Sequence, residues 1–201
     1  MGMNLESNDL WPDERHLMTK AANMVISVKE HGLSKFAFGD YMGAVGMKGK
    51  EAIGGKVHLT NYRLIFKSHG FNRVRGKHSI FIPNIISLPA KTTRLFIETH
   101  GQQYEFVMWF KSQFLASAGE VRDSFTQENL DTLRRNVLTY PEAIGDGLKK
   151  WMTLEVINQI CSGVRSVTSV LEKLSGTEDN TLLEVLELFA DVVDEVSEEE
   201  S

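Results

Sequence analysis

The one cysteine of the chain, Cys161, stands four positions before Arg165, and a thiolate beside a guanidinium could in principle attack and hold a phosphoryl group. A Cys-x5-Arg phosphate loop needs a longer span, and the apolar seam through Ile160 and Val164 makes Cys161 a small residue on the buried side of a helix. Gly49 and Gly55-Lys56 approach the spacing of a phosphate-binding P-loop. The spacing is one residue too long, and Val57 stands where a Mg-binding Ser or Thr is required. The histidines (His16, His31, His58, His69, His78 and His100) show neither H-E-x-x-H nor H-x3-H spacing, so no metal site is expected. Gly-x-Ser-x-Gly is absent, and no paired carboxylates fall in the apolar-alternating region. The expectation is a protein without catalytic machinery, metal or cofactor.

Binding chemistry is better represented. Ten basic residues fall between Lys48 and His100 against two acids, Glu51 and Glu98, in a chain whose net charge is −5. His58, His69, His78 and His100 lie in the same region, where protonation in mild acid would add positive charge. From Gly176 onward there is no Lys or Arg, while Asp and Glu recur to the end. Lys48, Lys50, Arg73, Arg75 and Lys77 suit phosphate recognition, Arg through its planar fork. Phe71 and Val74 are placed to dip into a lipid headgroup layer. Five such cations supply about 5 kcal/mol near an anionic leaflet, an affinity weaker than ~100 µM. Either a specific headgroup or pairing of two copies must add to it.

These side chains need a scaffold. The stripe Leu17, Ala21, Met24, Val25 and Val28, with Asp13 as cap, predicts a helix ending before Gly32. Alternation then predicts seven strands near 36–43, 53–59, 62–68, 77–83, 85–88, 93–99 and 103–110. Thr60-Asn61 is a tight hairpin turn, at which Asn tolerates a left-handed backbone. Tyr104, Phe106, Met108 and Phe110 line one face of the last strand. In an up-and-down meander, loops after odd-numbered strands share one end. The loops 47–52 and 69–76, which carry the basic residues, therefore open on a common rim, with Thr60-Asn61 opposite. Ser112 caps a closing helix through Phe125. A helix over 127–138 follows, and then the apolar seams Ile157–Leu174 and Leu182–Val196, joined by 175–180, describe a helical hairpin or a coiled-coil interface.

Gly55-Lys-Val-His-Leu-Thr-Asn-Tyr-Arg-Leu-Ile-Phe66 follows the pattern G-x-h-x-L-T-N-Y-R-L-x-F, with h apolar, and closely resembles the signature of GRAM domains, which carry a pleckstrin-homology (PH) fold. The resemblance extends over about 33–125. It implies an α+β chain: a PH-like seven-stranded antiparallel β-barrel or sandwich capped by a C-terminal helix, followed by an α-helical appendage. The expected divisions are an N-terminal tail and amphipathic helix (1–32), the GRAM/PH-like domain (33–125), a helical region (126–196) and an acidic tail (197–201). In PH-like domains the open barrel end is where inositol phosphates usually bind. The resemblance therefore implies a membrane-targeting or adaptor module that binds lipids of the phosphoinositide class through the basic rim. The alternative is a protein-interaction scaffold, with a partner or a second copy held through 151–196. A nucleic-acid partner is not expected, because the acidic remainder of the chain would repel a polyanion. The acidic tail folding back over the basic rim is a further hypothesis. The start of the chain lacks the basic and apolar regions of a secretory signal, and a single cysteine suits a reducing compartment, so a cytoplasmic location is expected, with peripheral attachment to a membrane as the lipid reading implies.

Overall fold

The computed structural model describes residues 3–27, 49–70, 72, 76–99, 103–140 and 143–144. Seven strands are present among them: β1 His16–Ser27, β2 Lys50–Thr60, β3 Arg63–Ser68, β4 Lys77–Phe81, β5 Ile85–Ser87, β6 Arg94–Thr99 and β7 Gln103–Val107. Two helices follow, α1 Ser112–Asp123 and α2 Gln127–Thr139. The strands form one sheet in the order β4-β3-β2-β1-β7-β6-β5, and every pairing is antiparallel. Its two outermost strands, β4 and β5, are consecutive in the chain and joined only by the 3-10 turn Ile82–Asn84. So short a link forces the sheet to curl until its edges approach.

Alternation sorts the side chains. Ile53, Val57, Leu59, Leu64, Phe66, Ile80, Leu95, Ile97, Tyr104 and Phe106 fill the concave side, and Phe114 and Ala118 of α1 close it. Gly55 belongs to this packing. A Cβ there would collide with the Lys67 carbonyl oxygen and come within 2.7 Å of the Phe66 ring.

The segment 16–27 is a strand, which corrects the helix expected from Asp13 to Val28. Its apolar residues satisfy both periods, but the even positions Met18, Ala22, Met24 and Ile26 are those that face the core. The long strand β2 needs a partner along its length, and β1 pairs with it from His16 to Ser27 while also bonding β7. Tertiary pairing overrides the local pattern. The sheet domain consequently begins before residue 33. The strand expected over 36–43 lies outside the described residues, as do the helical hairpin and the acidic tail.

Two smaller corrections concern turns. Asn61 does not take the left-handed conformation: among the described non-glycine residues only Phe110 does, with φ 50°. Asn61 instead accepts the Arg15 backbone N–H at 2.6 Å. The last strand ends at Val107 rather than at residue 110, so Phe110 does not line the core.

The convex side of β2, β3 and β4 is covered as well, which is why β3 is buried along its whole length. The N-terminal segment 3–14 lies across it, and the turn after α2 joins in. Trp11 stacks on Phe81 (6.5 Å, 2°) and donates its indole N–H to the Tyr140 carbonyl at 3.2 Å.

Candidate functional site

Two of the seven residues expected at the basic rim, Lys50 and Lys77, are described; Lys48, Phe71, Arg73, Val74 and Arg75 lie outside the described residues. Lys77 is not available to a ligand. Its side chain is 7% exposed, and its Nζ donates to Asp9 Oδ1 at 3.0 Å. Register explains the outcome. Lys77 pairs with Lys67, and Lys67 with Lys56, so all three project from the convex face beneath the N-terminal segment.

That segment answers much of the positive charge counted along the sequence. Asp9 accepts from Lys67 (2.6 Å) and Lys77, and the Asn4 carbonyl takes a second Lys67 bond at 3.0 Å. Burial alone would raise the Asp9 pKa, but the bonds from Lys67, the Glu6 backbone N–H and Lys77 outweigh it, leaving it below the usual carboxylate value. Arg63 uses all five of its N–H groups: Nε and Nη2 on Glu14 (2.9 and 2.8 Å), Nη2 on the Asp9 carbonyl, and Nη1 on Ser79 Oγ and the Ala143 carbonyl. Thr60 donates to Glu14 at 2.7 Å and Tyr62 to Asp13 at 2.6 Å. The Thr-Asn-Tyr-Arg run that carries the family resemblance is therefore a clasp for Asp13, Glu14 and Arg15.

His58 is enclosed by the same cover. Its Nε2 meets the Met3 carbonyl at 2.9 Å and its Nδ1 meets Thr19 Oγ1 at 2.8 Å. Burial, the largest influence, pushes its pKa below the ordinary histidine value. Buried there, it is not presented to a surface ligand.

Cations remain accessible on the same convex face, toward the β1–β7–β6 half of the sheet. Lys50 opens β2 opposite Ser27, and Arg94 opens β6 opposite Val107. Glu105 lies between them on the convex face of β7. It accepts Lys50 Nζ at 2.7 Å and Arg94 Nη1 at 2.8 Å, with the two cationic side chains 48% and 38% exposed. One carboxylate holds two cations, which leaves a net positive charge and unused N–H groups facing water. Lys91 sits over the Phe96 ring, 5.8 Å from its centroid, on the strand next to Glu105.

This cationic edge runs into the corner between β7 and α1. The Met108 backbone N–H bonds the Thr93 carbonyl (2.8 Å), and Lys111 Nζ bonds the Thr92 carbonyl (2.5 Å). Between these two ties, Trp109 and Phe110 point outward, 68% and 89% exposed. Sequence reasoning set Phe110 on one face with Tyr104, Phe106 and Met108 and passed over Trp109, although a signal was there: two consecutive aromatics in a strand cannot both face one core. Contrary to the expected cap, Ser112 is the first helical residue, and Lys111 at the cap position makes no side-chain cap bond.

The ends of the sheet follow from strand direction. β1 and β3 run the same way, so the loops after them leave one end, as alternation predicts. The alternation breaks at Ile82–Asn84, because β4 and β5 run in the same direction. The β5–β6 loop and the β7–α1 corner therefore share the opposite end. Lys50 and Arg94 differ in level by four positions of β1, roughly 13 Å, so these two cations form an edge rather than a single mouth. Among the described residues no group of three His, Cys, Asp or Glu could hold a metal ion, and no helix is long and apolar enough to cross a membrane.

No protein-family model and no curated protein matches this chain. Among solved structures it is similar to the C-terminal domain of an unknown protein from Leishmania infantum, at 15% identity and a TM-score of 0.35, over 54% of this chain and 84% of that one. It is also similar to the Vps36 N-terminal PH domain, at 10% identity and a TM-score of 0.38, over 57% of this chain and 83% of that one.

Proposed function

We propose that this chain is a non-enzymatic PH-like module of the membrane-targeting or adaptor type, which meets anionic lipid headgroups through its cationic edge. The fold assignment is supported by seven antiparallel strands in a curled sheet, the corner between β4 and β5, and a helix closing the core directly after β7. The GRAM-like signature at 55–66 agrees with it.

The observation that carries the lipid reading is the arrangement of Lys50 and Arg94 on either side of Glu105. A lone surface cation swings freely, whereas these two are positioned by a common carboxylate and still present free donors to an incoming phosphate. Lys91 and Lys111 extend the same edge. Four cations near an anionic leaflet supply about 4 kcal/mol, equivalent to a dissociation constant near ~1 mM. Charge alone is too weak, so a headgroup with several phosphates, the phosphoinositide class, is the fitting ligand.

Vesicle flotation with single phosphoinositides tests this. Selective flotation that is lost in Lys50→Gln and Arg94→Gln supports headgroup recognition. Flotation that follows total anionic charge and disappears at moderate salt reduces the edge to a generic basic patch.

A further inference from the structure

We propose that the β7–α1 corner is a bilayer-insertion element: Trp109 and Phe110 enter the interfacial layer of an anionic leaflet while Lys91, Lys111 and Arg94 engage the headgroups around them. This rests on the membrane reading above and gives the same surface its second, apolar half.

The first argument is conformational. Phe110 holds φ 50°, a region that bulky side chains rarely occupy. The turn that imposes this aims the ring into solvent, so packing within the described fold does not repay the strain. Strain held at an exposed position points to use by a partner.

The second argument is rigidity. Met108, immediately before the pair, is fully buried and tied to Thr93; Phe114, four residues after it, is fully buried in the core. Lys111 is fastened to Thr92. The aromatics are therefore presented by a fixed two-residue projection, and inserting them requires little further ordering of the backbone.

Shape and charge select the occupant. Trp109 and Phe110 form a convex tip, not a groove, and a tip fits a deformable phase that closes around it. Indole and phenyl rings favour the level of the headgroups, and neighbouring lysines and arginine find phosphates there. The one described carboxylate bonded within this group, Glu105, is already shared by Arg94 and Lys50.

The test uses the full chain with vesicles of phosphatidylcholine, with and without phosphatidylserine, and with phosphatidylcholine brominated on its acyl chains. The expected result is sedimentation with the phosphatidylserine vesicles, and quenching of tryptophan fluorescence by the brominated chains. That quenching should vanish in Trp109→Phe, which keeps an apolar ring and continues to bind. Trp109→Ala/Phe110→Ala should weaken partitioning by about tenfold or more, given the area two aromatic rings remove from water, without lowering the melting temperature. If the wild type binds but shows no quenching, or the double variant binds equally well, the insertion proposal is overturned and the headgroup reading stands. If the wild type binds neither these vesicles nor phosphoinositide vesicles, both are overturned. Trp109→Phe preserves the size class of the side chain, so the quenching result is independent of any folding defect in the double variant.

Discussion

The guanidinium carbon of Arg63 lies 4.0 Å from the ring centroid of Trp11, and both side chains are buried. A cation, its counter-ion Glu14 and an indole thus form one plug between the sheet and the N-terminal segment. Desolvating such a charge is tolerable only because every Arg63 N–H has an acceptor.

Removing one partner should therefore be costly. Arg63→Ala leaves the Glu14 carboxylate buried and uncompensated, and a loss of about 3–5 kcal/mol is expected. Urea denaturation followed by circular dichroism measures it. A loss below ~1 kcal/mol, the range of an exposed ion pair, would contradict the buried arrangement.

Glycine substitutions should separate two kinds of glycine. Gly55→Ala pushes a methyl group into the Lys67 carbonyl and the Phe66 ring, and the carbonyl, being backbone, cannot step aside without disturbing the β2–β3 ladder. Marked destabilisation is expected. Gly119 lies within α1 with open space around it, and Gly119→Ala should stabilise by about 1 kcal/mol through helix propensity. Melting temperatures moving in opposite directions would verify the pair.

Acid should weaken the N-terminal cover in two stages. The folded-state pKa of His58 lies below its unfolded value, so the unfolded chain takes up a proton first as pH falls through the mid-sixes. Stability is fully present above that range and declines below it, and His58→Gln should flatten the decline. Asp9 also has a lowered folded pKa, so its contribution is complete above the unfolded value of about 3.8 and is lost as pH falls further. Asp9→Asn should remove this second decline. Stability–pH curves of the two variants are the measurement.

Much of the sheet was legible in the sequence, and the reasons for the rest are specific. Strands β2 to β7 were legible because one face of each is apolar. β1 was hidden because Leu17, Ala21, Met24 and Val25 form a helical stripe, whereas the strand turns a different set, Met18, Ala22, Met24 and Ile26, to the core. The cover over the convex face was harder to see, since Asp9, Asp13 and Glu14 sit in a stretch without period. Its trace is Ile65, an apolar residue between Arg63 and Lys67 on the outward register of β3, where an uncovered strand would carry a polar residue. Charge counting alone made Lys77 a candidate for ligand binding, whereas register places it under Asp9. Lys50 escapes that fate because β2 runs past the end of β3 and its first residues pair with β1 alone.

Phe110 offers the clearest separation of folding from binding. Glycine accepts a positive φ without penalty, so Phe110→Gly should relieve the local strain and raise stability by about 1 kcal/mol. Phe110→Ala removes the same ring but keeps a Cβ in the left-handed region, so it should yield little of that gain. Both variants lose the ring equally, and both should bind phosphatidylserine vesicles more weakly than the wild type. Equal melting temperatures for glycine and alanine would show that the backbone at 110 carries no strain. A lower melting temperature for both would show that the ring packs against the fold, which its 89% exposure argues against. Higher stability with glycine alone, together with weaker vesicle binding in both variants, would mean that this corner holds an unfavourable conformation because its ring is used at a surface outside the fold.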